Sequence, residues 1–210
     1  MFLLVSGASG AGKSTAREIV ADALAAEVDC VELGQLVRVP RVPTKAWRQQ
    51  ATEAVVQRAL ALQVLGRHLL LAGDPVAAGE VIAAPSAGKL DAIAVCLLDV
   101  NPEAQAVRLA QRGDDPRLLA DHQAFAAWMR VHAQDPNHMP HVLSIDGWDA
   151  MRWERLRALD PRTGAWGVHV LDTSVHAADE VAEHVLAWCR RALRGQAPQI
   201  RLADAGPERG

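Results

Sequence analysis

The residues best equipped for chemistry come at the start of the chain. Gly7-Ala8-Ser9-Gly10-Ala11-Gly12-Lys13-Ser14-Thr15 satisfies G-x-x-x-x-G-K-[ST], and it lies between an apolar run, Phe2 to Ser6, and a stretch of helical periodicity. Glycines let consecutive backbone N–H groups curl around phosphate oxygens, and a helix opening there adds the positive end of its dipole. Lys13 then serves as a point charge for β- and γ-phosphates, and Ser14 offers a hydroxyl to Mg²⁺. Gly7, Ser9, Gly10, Ala11, Gly12, Lys13, Ser14 and Thr15 are thus expected to bind a nucleoside triphosphate, ATP with Mg²⁺.

Other candidates follow. Asp74 closes HLLLAGD, at the edge where open parallel sheets bind ligands. There it could hold the water shell of Mg²⁺ or accept a substrate proton, although Gly73-Asp74-Pro75 is also ordinary turn chemistry. Asp29 and Glu32 compete for the role of base. Arg108 and Arg112, four apart, share a helix face, and Gly113 could act as a hinge swinging Arg117 toward a triphosphate. Lys13, Asp74, Arg112 and Arg117 form the candidate catalytic set; the competing reading pairs the arginines with Asp114, Asp115 and Asp121. Arg38 and Arg41 could meet an anionic acceptor or stay solvated in their loop. His122, His132, His138 and His141 accompany Phe125 and Trp128, but no HExxH spacing or nearby cysteine supports zinc. The expectation is that Phe125, Trp128, Met129 and Val131 pack a lid helix while some of the histidines face the acceptor; Trp148 and Trp153 could line a pocket or anchor a helix to the sheet, burial being the default for large aromatics.

Positioning these groups requires alternating strands and helices. Apolar runs predict strands at Phe2 to Ser6, Asp29 to Leu33, His68 to Ala72, Ile93 to Val100 and Gly167 to Leu171. Helical spacing predicts helices from Lys13, from Lys45 to about Gly66 behind a Thr44 cap, from Pro102 to Arg112 behind Asn101, from about Pro116 to Ala133, weakly from Trp148 to Leu159, and from Ala177 to Leu193. Pro40 and Pro43 keep LVRVPRVPT extended, and residues 73–89 read as a loop with at most one short helix. The result is a three-layer α/β domain with a parallel sheet of about five strands and a helical lid. It is expected to span residues 1–195, with a lid and acceptor-facing insertion at about 108–147 and a polar, frayed tail at 196–210.

With 210 residues, 50% of them hydrophobic, the chain can bury a core unaided, whereas a net charge of −3 gives no global attraction to nucleic acid or anionic lipid. Cys30, Cys96 and Cys189 are far apart and suit a reducing cytoplasm. Phe2 to Val5 is too short for a leader's apolar region, and no run approaches the ~20 residues of a membrane helix.

Over residues 1–194 the chain resembles the small P-loop kinases, the group containing nucleoside monophosphate kinases, shikimate kinase and gluconate kinase. The resemblance rests on GASGAGKST, on the strand ending Leu97-Leu98-Asp99, on the R-x-x-x-R pair Arg108 and Arg112, and on Asp172-Thr173-Ser174 after the last strand. It implies that lid arginines stack on adenine or clamp phosphates, and that Thr173 borders the base. The chain departs from the group in two places: no arginine-containing monophosphate site is recognisable after the second strand, and the lid is longer than in a minimal shikimate-type kinase. The expected activity is γ-phosphoryl transfer from ATP to a small molecule by a monomer or homodimer. A regulatory NTPase, a binding module without chemistry and an adenylyl transferase remain alternatives. The missing NKxD sequence counts against a GTPase, and the lack of a basic aromatic stripe against a nucleic-acid kinase.

Overall fold

In the computed structural model, which describes residues 1–202, the five apolar runs become β1 (Phe2–Ser6), β2 (Val28–Val31), β3 (His68–Leu71), β4 (Ile93–Asp99) and β5 (Val168–Asp172). All pair in parallel, in the order β2-β3-β1-β4-β5. The central strands read as continuous apolar segments because both faces are covered. Successive residues alternate sides: Phe2, Leu4, Leu69, Leu71, Ile93 and Val95 meet one helical layer, while Leu3, Val5, Leu70, Ala94, Cys96 and Leu98 meet the other.

The second layer is α1 (Lys13–Ala23) and α9 (Ala178–Leu193), which bury Val20, Val181, Val185 and Trp188. The first is α3 (Lys45–Val64), α4 (Ala78–Ala83) and α8 (Glu154–Arg157), supplying Val55, Leu62, Ile82 and Leu156. Thr44 caps α3 as its sequence requires, with its hydroxyl accepting from the Trp47 N–H at 3.1 Å. Asn101 likewise caps α5 (Pro102–Arg112), and Gly113 ends it in the left-handed conformation.

Several elements differ from their sequence patterns. β2 stops at Val31 because Glu32 is an extended cap that lets Leu33 open a one-turn helix, α2 (Leu33–Leu36). The weak helix expected over Trp148 to Leu159 shrinks to α8. Another single turn, α7 (His141–Ser144), had no periodic signal. The tail expected to fray after Gly195 folds back in its described part: Ile200 is fully buried and exchanges backbone hydrogen bonds of 2.7 and 2.9 Å with Ile93. The rest of that tail, 203–210, lies outside the described residues.

The segment expected as a lid divides in two. Its helix, α6 (Leu119–His132), lies on the sheet, where Ala126, Trp128 and Met129 pack with Ala8, Ala77 and Leu97. Arg130 secures it through two bonds to Asp99 at the end of β4, at 2.7 and 2.8 Å. What stands clear is 112–118, where Arg112, Gly113, Pro116, Arg117 and Leu118 are exposed. Among the described residues, no helix is long and apolar enough to cross a membrane.

One interior charge is costly. The Glu80 carboxylate is completely buried, ion-paired with Arg48 at 2.8 Å and accepting from the Ala77 N–H at 3.1 Å. Removing the cation strands the charge. Arg48→Met is expected to lower unfolding free energy by about 3 kcal/mol, the low end of the range because the Arg48 side chain keeps 21% exposure. Arg48→Met/Glu80→Leu should recover most of that in urea titrations. A loss below about 1 kcal/mol for the single variant would show that water already screens the pair.

Candidate functional site

β1 delivers the glycine-rich loop to the carboxyl edge of the sheet, between β3 and β4. Gly7 has φ +150°, and a Cβ there would come within 2.7 Å of the Leu98 carbonyl oxygen, so the chain can leave the strand only through glycine. Gly12, at φ +95°, caps α1 with no side-chain acceptor of its own. The first N–H groups of α1 therefore face outward with no intrahelical partner.

The loop's carbonyls are occupied. Lys13 Nζ donates to the Ala8 oxygen at 2.8 Å, Gln105 Nε2 to Ser9 at 2.9 Å, and Arg108 Nη1 to Gly10 at 3.3 Å. Burial holds the Lys13 ammonium well below the ordinary lysine range, at about 8; nearby Asp74 opposes the shift and Arg112 adds to it. A buried cation with a weakened hold on its proton is stabilised by an arriving anion. Beside it opens a cavity of about 290 Å³ lined by Gly10, Gly12, Lys13, Ser14, Thr15, Gly73, Arg108 and Arg112. Three cationic side chains and a helix N-terminus converge there, an arrangement suited to a polyanion.

Next to Gly73, Asp74 Oδ2 accepts from the Leu33 N–H at 2.7 Å, which fixes the carboxylate against the β2–α2 turn. Burial raises its pKa first and Glu32 adds to that, while the Leu33 bond, Lys13 and Arg17 oppose it. Glu32 accepts from Arg17 Nε at 3.0 Å, and its side chain fills the space where a Cβ on Gly73, φ +115°, would sit at 2.6 Å. Asp29 is not brought to the site. Its register with Leu69 and Phe2 sets it four residues below the end of β1, roughly 13 Å away, where it pairs with Arg58 at 2.8 Å. None of the three candidate bases is among the cavity's lining residues, but Asp74 follows the lining residue Gly73 and Glu32 packs against it, whereas Asp29 does not.

The arginines separate by position. Arg108 reaches Thr173, donating to its hydroxyl at 3.0 Å and to its carbonyl oxygen at 2.5 Å, so these two expected nucleotide contacts meet each other. Arg112 lines the cavity but is held by Asp114, with Nε to Oδ1 at 2.6 Å. Arg117, 88% exposed, pairs with Asp115 at 2.6 Å and is not among the lining residues. Mg²⁺ fits the donors present: Ser14 is exposed on the cavity wall and Asp74 Oδ1 has no hydrogen-bond partner among the described residues, both hard oxygens.

His132 does not face an acceptor. Its ring stacks on Trp128 at 4.6 Å and meets Trp166 edge-on, and Nε2 accepts from the Gly79 N–H at 3.2 Å. Its aromatic neighbours and spacing resemble a lid position because nothing local in the sequence reveals the sheet beneath. Gln105, fully buried, also escaped the sequence reading; its signal was its place three residues before Arg108, on the same helix face.

No family model matches the sequence, and no curated protein matches it. Solved structures do match the fold. A sugar kinase from Janibacter sp. HTCC2649, in unliganded form, superposes over 90% of this chain and 94% of its own with a TM-score of 0.57 and 18% identity. The protein designated APE1195 superposes over 92% of this chain and 96% of its own, with a TM-score of 0.55 and 12% identity. The chain has a five-stranded, all-parallel α/β fold with helices on both faces, shared with a sugar kinase.

Burial pushes His132 down to about 4, from an ordinary 6.5. The folded pKa is the lower one, so the unfolded chain takes up a proton that the native state refuses. Stability from this group is complete above pH 7 and is lost as pH falls from about 6.5 toward 4, by on the order of 3 kcal/mol. Urea unfolding at pH 7 and pH 4.5 should show His132→Leu losing that part of the wild-type slope. An equal slope in both proteins would assign the effect to other groups.

Proposed function

We propose that this chain is an ATP-dependent kinase that moves the γ-phosphoryl group to a small-molecule acceptor. The observation that carries the reading is the buried Lys13 ammonium, which lines a cavity of about 290 Å³ together with Arg108, Arg112 and Gly73, with the Asp74 carboxylate next in the chain and near enough to act on its charge. Phosphoryl transfer needs cations around a spread negative charge and an oxygen base beside the incoming nucleophile. In this reading the loop N–H groups and Lys13 hold the β- and γ-phosphates. Ser14 and Asp74 would hold Mg²⁺, directly or through its waters, and the metal would supply positive charge to offset that of the phosphates.

Arg112 has the geometry of an exchangeable clamp: an exposed side chain at a helix end, followed by Gly113, now paired with an aspartate two residues away. A phosphoryl group can take the place of Asp114. The acceptor hydroxyl oxygen then forms its bond to the γ-phosphorus as the bond from phosphorus to the bridging oxygen breaks. ADP leaves, and the hydroxyl proton passes to Asp74 or Glu32. Arg108 and Thr173, already joined, would border the nucleoside. The net charge of −3 favours a small acceptor over nucleic acid.

A screen of ATP consumption against sugars, nucleosides, nucleotides and antibiotics, with mass spectrometry for a gain of phosphate, tests the assignment. Acceptor-dependent ADP release with a phosphorylated product is expected. Hydrolysis indifferent to every acceptor would favour a regulatory NTPase, and an adenylylated product a nucleotidyl transferase. With the acceptor in hand, Lys13→Ala should abolish turnover. Arg112→Ala should lower kcat about 100-fold while Mg-ATP affinity changes less than fivefold. Equal losses in affinity with kcat preserved would remove Arg112 from the transition state.

A further inference from the structure

Helix α5 presents two side chains, one turn apart, to successive carbonyls of the glycine-rich loop: Gln105 to Ser9 and Arg108 to Gly10. Lys13 takes the preceding carbonyl, that of Ala8, which also accepts from the Ala11 N–H at 3.3 Å. Three consecutive carbonyls are thus occupied, and that of Ser9 is turned to a fully buried side chain that is not among the cavity's lining residues. Gln105 is the neutral member and the most enclosed. It has no exposure, its amide nitrogen also reaches the His122 carbonyl oxygen of α6 at 3.4 Å, and its Oε1 has no partner among the described residues. Loop and side chain are in contact as well, since a Cβ on Gly10 would lie 3.6 Å from Gln105 Cγ.

We infer that Gln105 is a positioning residue for triphosphate binding: its amide turns the Ser9 carbonyl outward and locks the anion cradle to α5 and α6 before ligand arrives. The inference rests on the proposed nucleotide site and deepens it. Arg108 also bonds Thr173, so its removal would disturb the nucleoside side of the cleft; the hydrogen bonds of the Gln105 side chain among the described residues go to the loop and α6, so its effect should be read in the phosphates. Without the amide donor, the Ser9 carbonyl is free to turn toward the cavity and oppose the incoming charge. The affinity loss should therefore be shared by ATP, ADP and inorganic tripolyphosphate, which has no nucleoside.

The test is calorimetric titration of the full chain with Mg-ATP, Mg-ADP and tripolyphosphate, comparing wild type with Gln105→Met, of similar shape but unable to donate. A roughly tenfold weaker affinity for all three ligands is expected, the worth of one hydrogen bond of about 1.4 kcal/mol. Gln123→Met is the control: Gln123 joins α6 to the Pro102 carbonyl at 3.0 Å, away from the loop, and its variant should bind as wild type. Gln105→Glu separates positioning from bulk packing. Its protonated carboxyl can donate to Ser9 and its ionised form cannot, so affinity relative to wild type should recover as pH falls from 8 to 5. Unchanged affinity in Gln105→Met would overturn the inference, as would a Gln105→Glu variant whose deficit ignores pH. Failure of the wild-type protein itself to bind any of the three would overturn the proposed function, a distinct result.

Discussion

A loop that turns its N–H groups toward a ligand must settle the carbonyls it turns away. In this chain the carbonyls of Ala8, Ser9 and Gly10 are met by Lys13 from within the loop's own helix and by Gln105 and Arg108 from α5. Much of the molecule serves those three bonds. The β1–β4 register sets Leu97 beside Ser6 and brings α5, which follows β4, against the loop; Leu109 on α5 lies 3.4 Å from where a Gly10 Cβ would be. Asn101 starts α5 and Gly113 ends it, so Gln105 and Arg108 fall at mid-helix, where their backbone is most constrained.

The same helix ties the site to its surroundings. Arg108 continues to Thr173 on the β5–α9 turn and Gln105 to α6, while Arg130 returns from α6 to Asp99 at the end of β4. These contacts leave 112–118 as the stretch that can change partners without unpacking the core. Cations held locally by Asp114 and Asp115 cost little to release at the exposed surface. Elsewhere the charges are immobilised: Glu80 beneath Arg48, and Asp74 against Leu33.

Much of this was legible from sequence because the signals were local. The strands, the caps at Thr44 and Asn101, the stop at Gly113 and the loop itself each depend on residues within a few positions of one another. Arg108 and Thr173 were both expected at the nucleotide, although nothing in their spacing said they would bond. What could not be read depended on partners far along the chain. α6 looked like a lid because its aromatic face has no local sign of the Ala8, Ala77 and Leu97 surface it covers. Asp29 looked like a base until strand register set it at the wrong end of β2, and Gln105 is an ordinary helical glutamine until Ser9, 96 positions away, is placed beside it.

In the proposed function the glycine-rich loop is a preset cradle for a triphosphate. A crystal structure with Mg²⁺ and a non-hydrolysable ATP analogue tests it most directly. The β-phosphate oxygens are expected within hydrogen-bonding distance of the Gly12, Lys13 and Ser14 N–H groups. The Gln105–Ser9 bond should be unchanged, and Arg112 should have moved from Asp114 to phosphate. An analogue bound away from the loop, or a loop that must rebuild its carbonyl contacts to accept it, would rule out a preset cradle.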